Sequence, residues 1–257
     1  MLTFTPSQAP IAVDAQRFDY VSRVDGFADW GYAVPGSKDV WIVCLHGHRS
    51  NGDQLFVRPD LRDTWLPAFR ATGAGILTLN LRNNNWMGPK AVADMRDVLA
   101  AIRTRFHARH FVLFSGSMAG TGNLIYSMLH PDDIAAVCAL CPATDLTRYH
   151  AWCGTSQLPV VQEIRDAITA AYGGTPAEAK AVYAAHSAFE NAKLLTMPVF
   201  ICHGTNDQLI PVEESRRLVE ILGARAIYEE MEGGHHDSPL ASKQAMEWLN
   251  QQVDRLS

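Results

Sequence analysis

The sequence predicts an α/β fold built on a mostly parallel sheet, and three observations carry that prediction. Continuous apolar runs of strand length recur along the chain, stretches of helical periodicity separate them, and a knot of very small residues around a serine closes one of the runs. Alternating strand and helix imply a parallel sheet covered on both faces. Strands of such a sheet read as unbroken apolar runs because neither side meets water.

The elements follow in order. Pieces 17–24 and 30–34, on either side of the turn signal Asp25-Gly26, predict an antiparallel start to the sheet. After Pro35-Gly36-Ser37 come buried-strand runs at 40–45, 75–81, 110–114, 134–140 and 199–202, with 226–230 as the last strand. Val92, Met95, Leu99, Ile102 and Phe106 recur at three- and four-residue intervals and form one helical stripe. Leu124, Ile125, Met128 and Leu129 do the same until Pro131 stops the helix. Helices are also predicted over 213–222, ending at Gly223, and over 242–253, with Met246 and Leu249 on one face.

One segment breaks the alternation. Residues 145–193 read as a loop and two helices, 160–172 and 177–186, divided by Gly173-Gly174-Thr175-Pro176. An insertion of this length is more often a functional cover than a connector, and it is too short to carry its own core. The expected organisation is a single domain over 1–257 with a small helical lid at about 145–193.

Composition narrows the function. With 257 residues, 47% hydrophobic and 19% charged, the chain is large enough for a core without staples. A net charge of −5 and the lack of basic runs interleaved with aromatics argue against nucleic acid and anionic membrane as partners. Met1-Leu2-Thr3-Phe4-Thr5-Pro6-Ser7-Gln8 lacks the charged and apolar regions of a secretion signal. Of five cysteines, Cys44, Cys138 and Cys202 lie inside strand runs as small hydrophobes, while Cys141 and Cys153 flank the insertion and are the candidates for a pair. A reduced, cytoplasmic protein is expected. Whether copies of the chain associate is left open.

The stretch Val112-Leu113-Phe114-Ser115-Gly116-Ser117-Met118-Ala119-Gly120 carries the chemistry. A serine on a tight strand-to-helix turn pushes its Oγ out above the sheet, and the positions two before and two after it must be small. Ser115 and Ala119 satisfy that, in a pattern looser than strict Gly-x-Ser-x-Gly. A serine hydroxyl needs a base to take its proton and a carboxylate to orient that base. Asp207 follows the strand run ending at Cys202, and His235 follows Gly233-Gly234 after the last strand. Ser, Asp and His thus stand at three strand ends in that order. His236 is the alternative base and Asp145 the alternative acid. Leu45-His46-Gly47-His48 follows the first long apolar strand, where backbone N–H groups, with that of Met118, would meet a developing oxyanion. A metal reading of His46, His48, His235, His236 and Asp237 matches no zinc spacing such as H-E-x-x-H; neither metal nor cofactor is expected.

From Val40 onward the chain resembles an α/β-hydrolase. Ala171-Tyr172-Gly173-Gly174-Thr175-Pro176, the stretch 183–187, and Pro198-Val199 through His203-Gly204-Thr205-Asn206-Asp207 are similar to the prolyl-oligopeptidase-like branch and its esterase relatives. The resemblance implies a triad of Ser117, Asp207 and His235, oxyanion donors from the His48 and Met118 backbone, and a small ester or amide as substrate. Those families carry glycine where this chain has Ser115 and Ala119. With no propeller ahead of the hydrolase region, an esterase is expected, the alternatives being a serine aminopeptidase or oligopeptidase-like peptidase and a hydrolase-fold protein that binds a ligand without turning it over. Trp86, Tyr149 and Trp152, with His150 and Asn83 to Asn85, are candidates to line the cleft, and Arg49 or Arg82 to hold a carboxylate.

Overall fold

The computed structural model describes residues 3–6, 14–236 and 238–257. Nine strands form one sheet: β1 (Thr3–Pro6), β2 (Gln16–Val21), β3 (Ala28–Val34), β4 (Val40–Val43), β5 (Gly75–Leu79), β6 (His110–Gly116), β7 (Ala136–Leu140), β8 (Val199–Gly204) and β9 (Ala226–Met231). Their order across the sheet is β1-β2-β3-β5-β4-β6-β7-β8-β9. The strands β1, β2 and β3 pair antiparallel, β3 meets β5 antiparallel, and β4 to β9 run parallel. The predicted antiparallel start and parallel body are both present. Of the segment read for a secretion signal, Met1 to Gln8, Met1, Leu2, Ser7 and Gln8 lie outside the described residues, as does Asp237.

Ten helices flank the sheet among the described residues: α1 (Gln54–Val57), α2 (Pro59–Arg62), α3 (Trp65–Ala71), α4 (Pro89–Phe106), α5 (Met118–Leu129), α6 (Leu146–Cys153), α7 (Pro159–Tyr172), α8 (Lys180–Ala185), α9 (Glu213–Leu222) and α10 (Lys243–Leu256). Alternation along the parallel strands feeds two cores. Trp41 and Val43 point to the side of α4, α5 and α7, with Leu99, Ile125 and Ile168. Val40 and Ile42 point to the side of α3 and α10, with Phe69 and Trp248. Each such fully buried apolar side chain contributes roughly 1.5–3 kcal/mol, and the inner strands β4 to β8 are accordingly covered on both faces.

Three departures from the sequence reading have local causes. The short helices α1 to α3 carry too few turns for a stripe to emerge between Gly52 and Gly75. α8 begins at Lys180 rather than near 177, because the Glu178 carboxylate accepts from the N–H and hydroxyl of Thr175 and closes a turn there. Cys141 and Cys153 do not pair: both are free, buried thiols, and burial pushes the Cys153 thiol up to about 12. Among the described residues no helix is long and apolar enough to cross a membrane.

The strand order positions the site. The chain passes from β4 to β5 on one side and then crosses to β6 on the other, so β4 and β6 are neighbours whose connections leave in opposite directions. Ligand sites of open parallel sheets form outside the carboxyl ends of strands at such a switch point. The Ser117 turn follows β6 and the His46-Gly47-His48 loop follows β4.

Candidate active site

Ser117 joins β6 to α5 at φ 62° and ψ −131°, a backbone state that costs a non-glycine residue roughly 1–3 kcal/mol and persists only where its surroundings enforce it. The enforcement is visible. Ser117 N–H donates to Leu140 O at 2.7 Å, and Thr121 N–H returns to Ser117 O at 2.9 Å. On the strand side a Cβ on Gly116 would lie 2.9 Å from Leu240 Cδ2, so a larger residue there would have to displace that side chain. Ser115 uses its hydroxyl to accept Leu45 N–H at 3.0 Å, pinning the exit of β4 against the exit of β6.

The structure brings Ser117, His235 and Asp207 together. Ser117 Oγ lies 2.7 Å from His235 Nε2, and His235 Nδ1 lies 2.6 Å from Asp207 Oδ2. An ionised carboxylate only accepts, so Nδ1 carries the ring proton and Nε2 is left to accept from the serine hydroxyl. The other oxygen, Asp207 Oδ1, accepts the N–H groups of Leu209 at 2.8 Å and Ile210 at 2.9 Å. Burial opposes the charge on Asp207, but the imidazoles of His203 and His235 outweigh it and hold the carboxyl well below the usual range. His203 is a partner that sequence reasoning missed: its Nε2 stands 3.2 Å from Asp207 Oδ2, and its Nδ1 bonds Ser215 Oγ at 2.7 Å. Its signal was the His203-Gly204 pair at the end of β8. Gly204 is required there, because a Cβ would meet Gly234 O at 2.5 Å and block the loop that delivers His235.

The alternatives fall elsewhere. Asp145 caps α6, its carboxylate accepting from Thr147 and Arg148 N–H. His236 is exposed and stands edge-on to His235, ring centroids 4.7 Å apart, on the lining of the same cavity, while the bonds to Ser117 and Asp207 are made by His235. His46, offered for a metal, has its ring nitrogens at 2.8 Å from Gly47 O and 2.7 Å from Asn80 O. Cys141, His203 and Asp207 place ligand atoms within 4.8 Å of one another. Each is engaged otherwise: Asp207 by His235, His203 by Ser215, and Cys141 as a buried thiol whose Sγ faces His235 O at 3.5 Å.

Above Ser117 runs the loop after β4, so close that a Cβ on Gly47 would stand 4.0 Å from Ser117 Cβ. Its N–H groups are mostly committed: Gly47 to Gln54 Oε1 at 3.0 Å, Arg49 to Asn84 Oδ1 at 2.8 Å, Ser50 to Gly47 O at 3.2 Å. The His48 N–H is not in that set. Met118 opens α5, and the first N–H groups of a helix have no acceptor within it. No hydrogen bond to either amide is found among those given above for the described residues.

Ser117 and His235 open into a cavity of about 180 Å³ whose apolar walls are Leu61, Trp65, Val160, Ile164, Leu209 and Leu240, with Arg49 and Arg58 also on its lining. The expected cleft aromatics do not line it. Trp86 and Tyr149 are fully buried, and Trp152 stacks on Tyr149 at 5.8 Å against the core. Those side chains instead support the lining, Trp86 Nε1–H reaching His48 Nδ1 at 3.4 Å and Tyr149 O–H donating to Leu209 O at 2.8 Å. His150 is buried too, bonded to Thr169 Oγ1 at 2.8 Å. Asn83 to Asn85 border a separate groove with Lys90 and Ala171. Arg82 is ion-paired to Asp25 and Asp94, and Arg49 to Glu163. The true lining residues carried no sequence signal, being apolar positions of short or amphipathic helices.

A family model described as BD-FAE matches residues 110–222. Among solved structures, the Pyrococcus furiosus esterase Pf2001 is similar at 14% identity and TM-score 0.69, over 94% of this chain and 92% of that one. The Staphylococcus aureus fluorophosphonate-binding serine hydrolase FphF is similar at 12% identity and TM-score 0.68, over 93% and 98%. A puromycin hydrolase is similar at 18% identity and TM-score 0.72, over 97% of this chain and 40% of that one. The strand order, the serine turn at the switch point and these likenesses agree: the chain has the α/β-hydrolase fold.

Proposed function

We propose that the chain is a serine hydrolase that cleaves a small carboxylic ester through an acyl-enzyme. The observation that carries this reading is the continuous hydrogen-bonded line Ser117–His235–Asp207 at the floor of an apolar cavity. His235 Nε2 takes the Ser117 proton as Oγ attacks the ester carbonyl carbon. The carbonyl oxygen, now negative, accepts the His48 and Met118 N–H groups. His235 then gives its proton to the departing alkoxide, the C–O bond breaks, and the acyl group stays on Ser117. Water, deprotonated by the same imidazole, attacks the acyl carbon; the acid leaves and Ser117 regains its proton. Asp207 remains ionised throughout and holds the imidazole in the required tautomer.

An esterase in the solved relatives and a fluorophosphonate-binding serine hydrolase both support the reading. A peptidase is the second reading, favoured by the likeness to a puromycin-hydrolysing peptidase. The cavity weighs against it: its described lining includes Arg49 and Arg58 but no carboxylate to receive a peptide ammonium. Five free thiols support a reducing compartment, and we place the protein in the cytoplasm.

The test is Ser117→Ala, expected to lower kcat on p-nitrophenyl acetate by on the order of 10⁶ and to abolish fluorophosphonate labelling with the fold intact. Near wild-type turnover by that variant sinks the reading. Faster release of aminoacyl-nitroanilides than of matched esters selects the peptidase.

A further inference from the structure

We propose that Glu163, on α7, is a positioning residue of this hydrolysis that fixes the oxyanion loop from across the cavity. The inference rests on the reading of Ser117 and of the His48 amide given above, and adds to it a residue on the inserted segment.

The loop from His46 to Ser50 is tied to the sheet side by Gln54, Asn84 and Trp86. On its other side it has one anchor, the Glu163 carboxylate. Oε2 binds the Arg49 guanidinium, with Nε at 2.8 Å, and Oε1 stands 3.2 Å from His48 Nε2. The two residues held are the donor residue itself and its successor. The His48 side chain is buried, and that burial pulls its pKa below the usual imidazole value. Its Nδ1 accepts from Trp86 Nε1–H, which leaves the proton on Nε2, facing the carboxylate. The imidazole is therefore hydrogen-bonded to an indole on one side and stands at ion-pair distance from Glu163 on the other, its buried Nε2 having no aligned acceptor among the described residues, so the hold of Glu163 on the loop runs chiefly through the Arg49 guanidinium.

Glu163 is partly exposed, as is Arg49, and ion pairs of that kind contribute little to stability. Its effect is on geometry. An amide donor serves the oxyanion only when it is already aimed at where the charge develops. Val160 and Ile164, the neighbours of Glu163 on α7, line the acyl cavity. One helix thus bears both the wall that meets the substrate and the carboxylate that sets the loop.

The experiment compares wild type with Glu163→Gln, which keeps size and removes charge. The readouts are kcat and KM on p-nitrophenyl butyrate, and Ki for an alkyl trifluoromethyl ketone, whose adduct with Ser117 presents an oxyanion. The expected result is a kcat about tenfold lower, less than the loss from removing an oxyanion donor outright. Ki should rise by the same factor, with KM and Tm unchanged. An Arg49→Ala, Glu163→Gln double variant should be no worse than the worse single, because both act through one contact. A rise in KM with Ki changing in proportion overturns the proposal and makes Glu163 a wall of the cavity. Unchanged kinetics also overturn it. Failure of the underlying reading shows separately: wild type would then neither turn over the ester nor bind the ketone, whatever stands at 163.

Discussion

The sheet edge and the segments above it are built on different terms. At the edge, Ser117, Asp207 and His235 each sit on a strand exit, and each is held by backbone as well as by its partner: Leu140 O for Ser117, two amides for Asp207. Above the edge, the cavity walls come from α2, α3, α7 and two loops that meet only in space, and they are apolar side chains with no directional bonds except Trp65 Nε1–H to Leu240 O at 2.8 Å. Under the proposed hydrolysis the edge would perform chemistry that tolerates little displacement, and the walls would select substrate by shape, which several apolar residues can share. A third group, Trp86, Tyr149 and Trp152, packs in the core outside the cavity lining, although its composition matches that of a binding surface.

This contrast is sharpest at Asp207. Asp207→Asn should lower kcat by about 10⁴, as the amide favours the wrong imidazole tautomer, while Asp145→Asn should leave kcat within a few-fold; steady-state kinetics of both variants decide the acid. The same carboxylate gives a stability signature. Its folded pKa is depressed, so it stabilises the fold above the ordinary Asp value of about 3.9 and loses that contribution as pH falls through the lower folded value. Acid unfolding of Asp207→Asn should accordingly be shallower than that of wild type below about pH 4.

Next in size, Trp86→Ala should cost about 3–5 kcal/mol of stability by emptying a fully buried site, read as a fall in denaturation midpoint, without altering the ranking of esters by acyl length in the fraction that folds. A changed ranking would move Trp86 into the substrate wall. Asp145→Ala should cost about 1 kcal/mol through the lost cap of α6. The smallest effect falls on the wall. Val160→Ala should shift the preference toward longer acyl chains by a few-fold, in keeping with about 1–3 kcal/mol for a methylene-sized change in an apolar pocket, with Tm nearly constant. If acyl ranking stays put while Tm drops, Val160 belongs to the core and the walls lie elsewhere.

The sequence by itself determined the parallel sheet, its antiparallel start, and the strand exits bearing Ser117, Asp207 and His235. These are local matters: an unbroken apolar run says that both faces of a strand are covered, and a small-residue knot or a glycine pair says where the chain turns. Register at His235 rather than His236, the cap role of Asp145, and the free state of Cys141 and Cys153 depended on how those turns pack against one another. The cavity was decided by tertiary structure alone. Leu61, Trp65, Val160 and Ile164 look like any buried face of a helix, and Trp86, Tyr149 and Trp152 look like a cleft, because burial of apolar area has no direction in sequence. Which face meets an empty space and which meets the core is fixed only when α3 and α7, packed into the two opposite cores, bring Trp65, Val160 and Ile164 to one cavity while Tyr149 of α6 is buried.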